Sequence, residues 1–405
     1  MNTMQCNVKE TVEKLNSFHD RFTASGDPTN EVASLVYDVA YRYDFMKWRK
    51  PENASKKEEF CTLGGVEVLI RFCKVDDARI NGFAMSALWN YGESESERRS
   101  IVKAGASEVI AAFLTCDNTN KARSACGLLW NLVELEDFKI QVFKNGLHRH
   151  TINLLKEEKL STLPENRLSF LGSILVGTLQ HLATHPDYRV DIIDRGGLAC
   201  LVDVLKVTKW TTAKANYIQY RACLAVANLL TCDHTQCKNP QDAIDAHDAL
   251  DAFVQRVGTD FKLFDNIQEE DKSHVYANVK SFLKIASSPV LAISRAGAMG
   301  AAILSTMERH KALIVKDNYV QTILNLSVSS DVCTRKFSYI ALQYITIDIL
   351  QKFATSLQWK SIFIVAKNKK DQKALTTFAV LEKLPLEIRE KVKIISDMIE
   401  GSSPN

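Results

Sequence analysis

Residues 84–146 read AMSALWNYGESESERRSIVKAG and then ASEVIAAFLTCDNTNKARSACGLLWNLVELEDFKIQVFKNG. A segment ending in Leu-Trp-Asn is followed by a polar turn, a short apolar segment and a glycine, and the pattern then recurs. Trp89-Asn90 returns as Trp130-Asn131 after 41 residues, and Gly105 returns as Gly146 after 41. A period of about 40 to 47 residues is that of stacked helical repeats. The phase extends outward in both directions. LGGVEVLIRF places Gly65 forty residues before Gly105, HLATHPDYRVDIIDRGG puts His181 at the asparagine position and Gly197 at the glycine position, and RACLAVANLL restores the asparagine at Asn228.

Each unit is chemically sensible as a helix-packing module. In SACGLLWNL the small residues Ala125 and Gly127 allow close approach of a neighbouring helix, while Leu128, Leu129 and Leu132 fall at helical spacing. One unit alone cannot cover its apolar face, so several must stack. The glycines suit helix ends, where a positive φ carries no Cβ penalty.

These motifs resemble those of the armadillo-repeat superfamily, with its A-x-x-A-L-x-N-L third helix and its G-G-L-x-x-L-V junction, over roughly residues 60–230. The resemblance implies an all-α chain forming a right-handed armadillo/HEAT-like superhelical solenoid, with a concave groove lined by third helices. The expected organisation is a helical N-terminal cap over 1–59, regular repeats over 60–232, an acidic helical insertion over 233–277, degenerate repeats over 278–355 and C-terminal helices over 356–405. In the cap, Tyr37, Tyr41, Tyr43, Phe45 and Trp48 have two readings, a binding patch or packing under the first repeat, and their spacing favours packing. The repeat lengthens in LKEEKLSTLPENRLS and VTKWTTAKANYIQ, the latter carrying Trp210, and such insertions usually emerge on one face of a repeat array. In AIDAHDALDAFVQRV apolar residues fall at helical spacing and the aspartates lie opposite.

Composition excludes several classes. The 405 residues are 46% hydrophobic and 24% charged, ordinary for a chain with ample core. A net charge of +3 is too small to argue for nucleic acid or an anionic membrane surface. The start MNTMQCNVKETVEKL has no apolar run of signal-peptide type, and no stretch approaches a membrane span. The cytoplasm, or the nucleus, is the expected compartment. The ten cysteines, among them Cys126, Cys200 and Cys223, sit in helical patterns without a disulfide framework and are read as buried free thiols.

Phosphate loops, dinucleotide fingerprints, nucleophile elbows and zincin helices are absent from the sequence, so a non-enzymatic protein without cofactor is expected. His181 and His185 lie four apart in HLATH, but the segment lacks the glutamate a zincin needs and Pro186 follows directly. Cys232, His234 and Cys237 offer three ligands without a second cysteine pair. Neither group is taken as a metal site.

The recurring Asn90, Asn131 and Asn228 have two readings: carboxamides that hold a passing peptide backbone, or braces between repeats. The pattern departs from importin-α, since Ser86, Gly127 and Leu224 stand where that family has tryptophan four residues before the asparagine. A narrower resemblance is to the armadillo-like domain of the Zer and Zyg substrate receptors of cullin ubiquitin ligases, whose pocket reads an N-terminal glycine. By motif, its residues fall on Trp89, Glu93, Asn131 and Glu134, with Glu93 replacing an Asp and Trp130 replacing an Asn. Ser356-Leu357 followed by Leu384-Pro385-Leu386 is similar in layout to a SOCS box, which implies elongin and cullin as partners; an ordinary capping helix pair is the other reading. The expected function is therefore binding of a peptide or partner protein through Trp89, Asn90, Glu93, Trp130, Asn131, Glu134, His181 and Asn228. An alternative is a regulatory module sensing a small anionic metabolite through Arg98, Arg99, Lys103 or Arg123, and a third is a pure assembly scaffold.

Overall fold

A computed structural model describes residues 7–25, 30–43, 46, 53–116, 119–165, 170–259, 275–306, 313–314, 319–327 and 329–356. The chain is all-α, and no strand occurs among the described residues. Two compact units are distinguished: residues 1–210 with 217–246, and residues 211–216 with 247–405.

The first unit opens with α1 (Val8–Ser25) and α2 (Asn30–Tyr41). Three-helix sets follow. The first is α3 (Ala54–Thr62), α4 (Gly65–Cys73) and α5 (Ala78–Tyr91); the second is α6 (Glu95–Lys103), α7 (Ala106–Leu114) and α8 (Thr119–Leu132). The third is α9 (Glu136–Lys144), α10 (Leu147–Glu158) and α11 (Phe170–Ala183). The fourth is α12 (Arg189–Asp194), α13 (Gly197–Lys206) and α14 (Ala213–Leu229), the last belonging to this unit from Tyr217 onward. Third helices pack in series, α2 on α5, α5 on α8 and α8 on α11. Because α3 begins at Ala54, the first repeat starts earlier than the expected boundary at residue 60.

Local chemistry sets the helix ends. Asp77 caps α5 by accepting the amides of Arg79 and Ile80 at 2.8 and 3.0 Å. Ser94 and Glu97 form a reciprocal capping box on α6, with the Glu97 carboxylate accepting the Ser94 amide at 2.7 Å. At each junction between first and second helix stands a glycine with left-handed φ: Gly64 at 84°, Gly105 at 93°, Gly146 at 71° and Gly196 at 81°. Each donates its amide to the carbonyl three residues back, on Cys61, Val102, Phe143 and Ile193.

The sequence alignment on Gly65 and Gly197 is thereby corrected by one residue, and the spacing becomes 41, 41 and 50. Gly65 and Gly197 instead open the second helices, where a Cβ would lie 2.5 Å from the Phe60 ring and 2.7 Å from Ile192 Cγ2. The two kinds of glycine should respond differently to alanine. A Cβ on Gly105 meets nothing within 4 Å, so only the left-handed backbone resists it. Gly105→Ala is expected to lower stability by about 1–2 kcal/mol in urea unfolding, and Gly105→Asn by less.

The two insertions of the third and fourth repeats are joined, since Trp210 is buried and its indole N–H points to the Leu163 carbonyl at 3.5 Å. The helix α15 (Pro240–Thr259) has the expected amphipathic pattern, with Ala246, Leu250, Phe253 and Val257 buried and Asp245 and Asp248 exposed. Asp251 departs from the solvated face: it pairs with Arg295 at 2.6 Å.

That pair lies in the second unit, which contains α16 (Val275–Ala286), α17 (Leu291–Ser305), α18 (Val320–Ser327) and α19 (Val332–Ser356). Arg295 also grips Asp331 through Nη2 at 2.7 Å, and this hydrogen bond holds the Asp331 carboxyl at about 2. Gly297 and Gly300 let α17 approach α16 closely, against Ala286 and Phe282. The SOCS-box-like residues beyond Ser356, together with Phe45 and Trp48, lie outside the described residues.

Candidate functional site

In the asparagine row, Asn90 and Asn131 each brace the preceding third helix. Asn90 donates through Nδ2 to the Ala40 carbonyl of α2 at 2.8 Å, and Asn131 donates likewise to the Trp89 carbonyl of α5 at 3.1 Å. The equivalence repeats one helix later in each case, and such a bond contributes about 1 kcal/mol net. Asn228 turns back to Leu224 of its own helix at 2.9 Å. Tryptophans follow the same rule: Trp89 lies against Gly127 of α8 and Trp130 against Gly177 of α11, where an added Cβ would meet the rings at 2.3 and 2.8 Å. Trp130, Asn131 and His181 are each 1% exposed and Asn228 is 3%, whereas Trp89 and Asn90 are half-buried.

A second row, unread in the sequence, runs parallel to the first. Lys57, Arg98, Lys139 and Arg189 occupy the first helices of the four repeats, all buried, at the same 41, 41 and 50 spacing as the left-handed glycines. Each reaches the end of a third helix. Lys57 Nζ lies 3.3 Å from Glu93 Oε2, and Arg98 Nη2 lies 2.7 Å from Glu134 Oε2. Lys139 donates to Thr184 Oγ1 at 2.8 Å, and Arg189 to Thr231 Oγ1. These four partners stand three residues after Asn90, Asn131, His181 and Asn228 respectively.

Arg98 and Arg189 also take backbone carbonyls of the preceding repeat: Arg98 donates to Glu93 at 2.7 Å, and Arg189 to Ala183 and Thr184 at 2.9 and 3.0 Å. A cation placed there satisfies carbonyls that the ending helix leaves open and opposes its negative dipole end. Burial lifts the Glu134 carboxyl above its ordinary value, against the pull of the Arg98 guanidinium.

Trp89, Glu93, Asn131 and Glu134 are therefore brought into one neighbourhood, but through repeat packing. Both carboxylates already face buried cations, and the Asn131 amide is occupied by Trp89. Of the residues considered for an anionic metabolite, Arg98 is bound to Glu134, and Arg99 to Glu95 and Asp137 at 2.8 and 3.3 Å; Lys103 and Arg123 are exposed. Arg221 completes the buried polar network. Its guanidinium is 0% exposed and lies 4.6 Å from the Trp130 ring centroid and 4.5 Å from that of Tyr217.

The accessible part of the row lies on α2 and α5. Tyr37, Tyr41 and Phe83 form a three-ring cluster, with Tyr37 5.0 Å from Tyr41 and 5.1 Å from Phe83 by centroid. This agrees with packing under the first repeat, yet Tyr41 keeps 37% exposure and Phe83 is half-buried. Phe83 and Asn90, seven apart on α5, share a helix face.

Cysteine burial is mixed: Cys126 and Cys223 are buried and Cys200 is partly exposed, and burial pushes the Cys126 thiol up to about 12. His185 stacks on Tyr188, with centroids 4.2 Å apart. Among the described residues no group of three or more His, Cys, Asp or Glu is arranged to hold a metal ion, and no helix is long and apolar enough to cross a membrane.

No protein-family model matches the chain, and no curated protein matches it. Among solved structures it is similar to an engineered protein from the Northeast Structural Genomics Consortium, at 21% identity and a TM-score of 0.50, over 98% of this chain and 99% of the other. A second engineered protein from the same consortium aligns at 18% identity and a TM-score of 0.28, over 84% and 97%. The first likeness supports a fold of packed helical repeats.

Proposed function

We propose that the chain is a non-enzymatic, armadillo-type repeat protein that binds a peptide segment of a partner protein across its third helices, at the strip formed by Tyr37, Tyr41, Phe83 and Asn90. The observation that carries this reading is the part-exposed three-ring cluster continuous with a carboxamide on the same helix face. Aromatic residues dominate the binding energy of protein interfaces, because they bury large area with little side-chain entropy to lose. Asn90 supplies a polar group that fixes the register of an extended backbone, while its own amide stays tied to Ala40.

Recognition of a free N-terminal amine is not part of the proposal, since Glu93 and Glu134 already pair with Lys57 and Arg98. A random peptide library selected on the wild-type chain tests the reading. Selected peptides should lose about tenfold or more in affinity for the Tyr41→Ala or Phe83→Ala variant, and acetylated and free peptides should bind alike. Peptides that bind both variants as tightly as the wild type would sink the assignment of this strip.

A further inference from the structure

A basic feature of the first unit lies on α10 and the end of α12 and shares no residue with the aromatic strip. A cleft of about 650 Å³ opens between α10, the end of α12 and Lys238. Helical spacing aligns its wall: Arg149 and Lys156 are seven apart on α10, both exposed, and both line the cleft. Arg195 and Lys238 face them from the other side. Helix α10 adds its N-terminus at Gly146, the positive end of its dipole.

The carboxylates of Asp191 and Asp194 offset two of these four cations and leave the cleft with a net positive charge. Asp191 is held by His148 Nε2 at 2.5 Å and Arg195 Nε at 2.8 Å. Burial works against its ionisation, but these hydrogen bonds keep its carboxyl below the ordinary value. Asp194 accepts the backbone amide of Lys238 at 2.8 Å. Arg149, Lys156 and the Lys238 ammonium form no ion pair among the described residues.

We infer that this cleft is a binding site for a compact phosphoryl-bearing anion, held by Arg149, Lys156, Arg195 and Lys238. Several cations around one cavity suit a multiply charged ligand, arginine forks match the geometry of phosphate oxygens, and a helix N-terminus favours the same charge. The cavity is of small-ligand size. This site differs from the expected anion set Arg98, Arg99, Lys103 and Arg123, and it shares no residue with the proposed peptide strip.

Titration calorimetry of the full chain with sodium tripolyphosphate, at about physiological ionic strength, tests the inference. The anion should bind, and Arg149→Ala and Lys156→Ala should each weaken it about tenfold or more, while Lys103→Ala leaves it unchanged. Both wall residues are exposed, so unchanged thermal melting should accompany the loss. A short phosphoserine peptide forms the second arm. Competition with tripolyphosphate identifies a phosphoryl group carried by a protein; tripolyphosphate binding without such competition identifies a free polyphosphate. Absence of tripolyphosphate binding, or an equal loss in the Lys103→Ala control, overturns the site. Neither result bears on Tyr41 or Phe83, so the peptide reading stands or falls separately.

Discussion

Arg98→Ala is expected to destabilise the first unit by about 3–5 kcal/mol, the range for breaking a buried ion pair from one side. The side chains of Arg98 and Glu134 are 8% and 10% exposed, so the remaining carboxylate would have little water to turn to. Loss of the donor also reopens the Glu93 carbonyl at the end of α5. The double variant Arg98→Met, Glu134→Leu should recover most of the loss, because a packed apolar pair of similar volume removes both charges at once.

The pH dependence has a definite sign. Burial already raises the Glu134 carboxyl above its ordinary value, and removing Arg98 takes away the largest opposing pull. A carboxyl whose folded pKa is raised contributes stability below the unfolded pKa that is lost as pH rises through the folded value. The deficit of Arg98→Ala should therefore be largest at neutral pH. It should shrink as pH falls toward the unfolded carboxyl value, where both states are protonated. Urea unfolding across that range measures it, and a deficit independent of pH would place the effect in lost packing alone.

The repeat could be read because its markers stay in register for 41 residues twice over: Trp89-Asn90 with Trp130-Asn131, and Gly105 with Gly146. What those markers do was less legible. A Gly-Gly pair contains one residue that needs a left-handed backbone and one that needs an absent Cβ, and spacing alone chose the wrong member at Gly64-Gly65 and Gly196-Gly197. An asparagine at a helix end offers the same donor to a foreign peptide or to a neighbouring helix. The choice is made by how closely α2, α5 and α8 pack, which periodicity does not encode. The buried cations had a readable signal in the 41-residue recurrence of Lys57, Arg98 and Lys139, but charged residues on first helices pass for a solvated face until their burial is known. The cleft at Arg149 and Lys156 joins residues from the third and fourth repeats and the loop after them, so no single motif contains it.

Trp89 and Trp130 occupy the same repeat position, but their alanine variants should differ. Trp130 is 1% exposed and lies between Gly177 of the next helix and the guanidinium of Arg221, so Trp130→Ala removes a fully enclosed indole. Large-to-small changes of that kind lose about 3–5 kcal/mol, through transfer free energy and the cavity left behind. Arg221 would lose one face of its aromatic enclosure while remaining buried, which adds to the effect because a desolvated guanidinium depends on such neighbours. Trp89 keeps part of its surface in solvent, and Trp89→Ala should be the milder change by about 1 kcal/mol or more. Chemical unfolding of the two variants measures the difference. Equal losses would mean that the Trp89 indole is as enclosed as that of Trp130. The ranking also separates structure from recognition on this row, since a residue that braces the stack shows its effect without ligand, whereas Tyr41 and Phe83 should show theirs chiefly in binding.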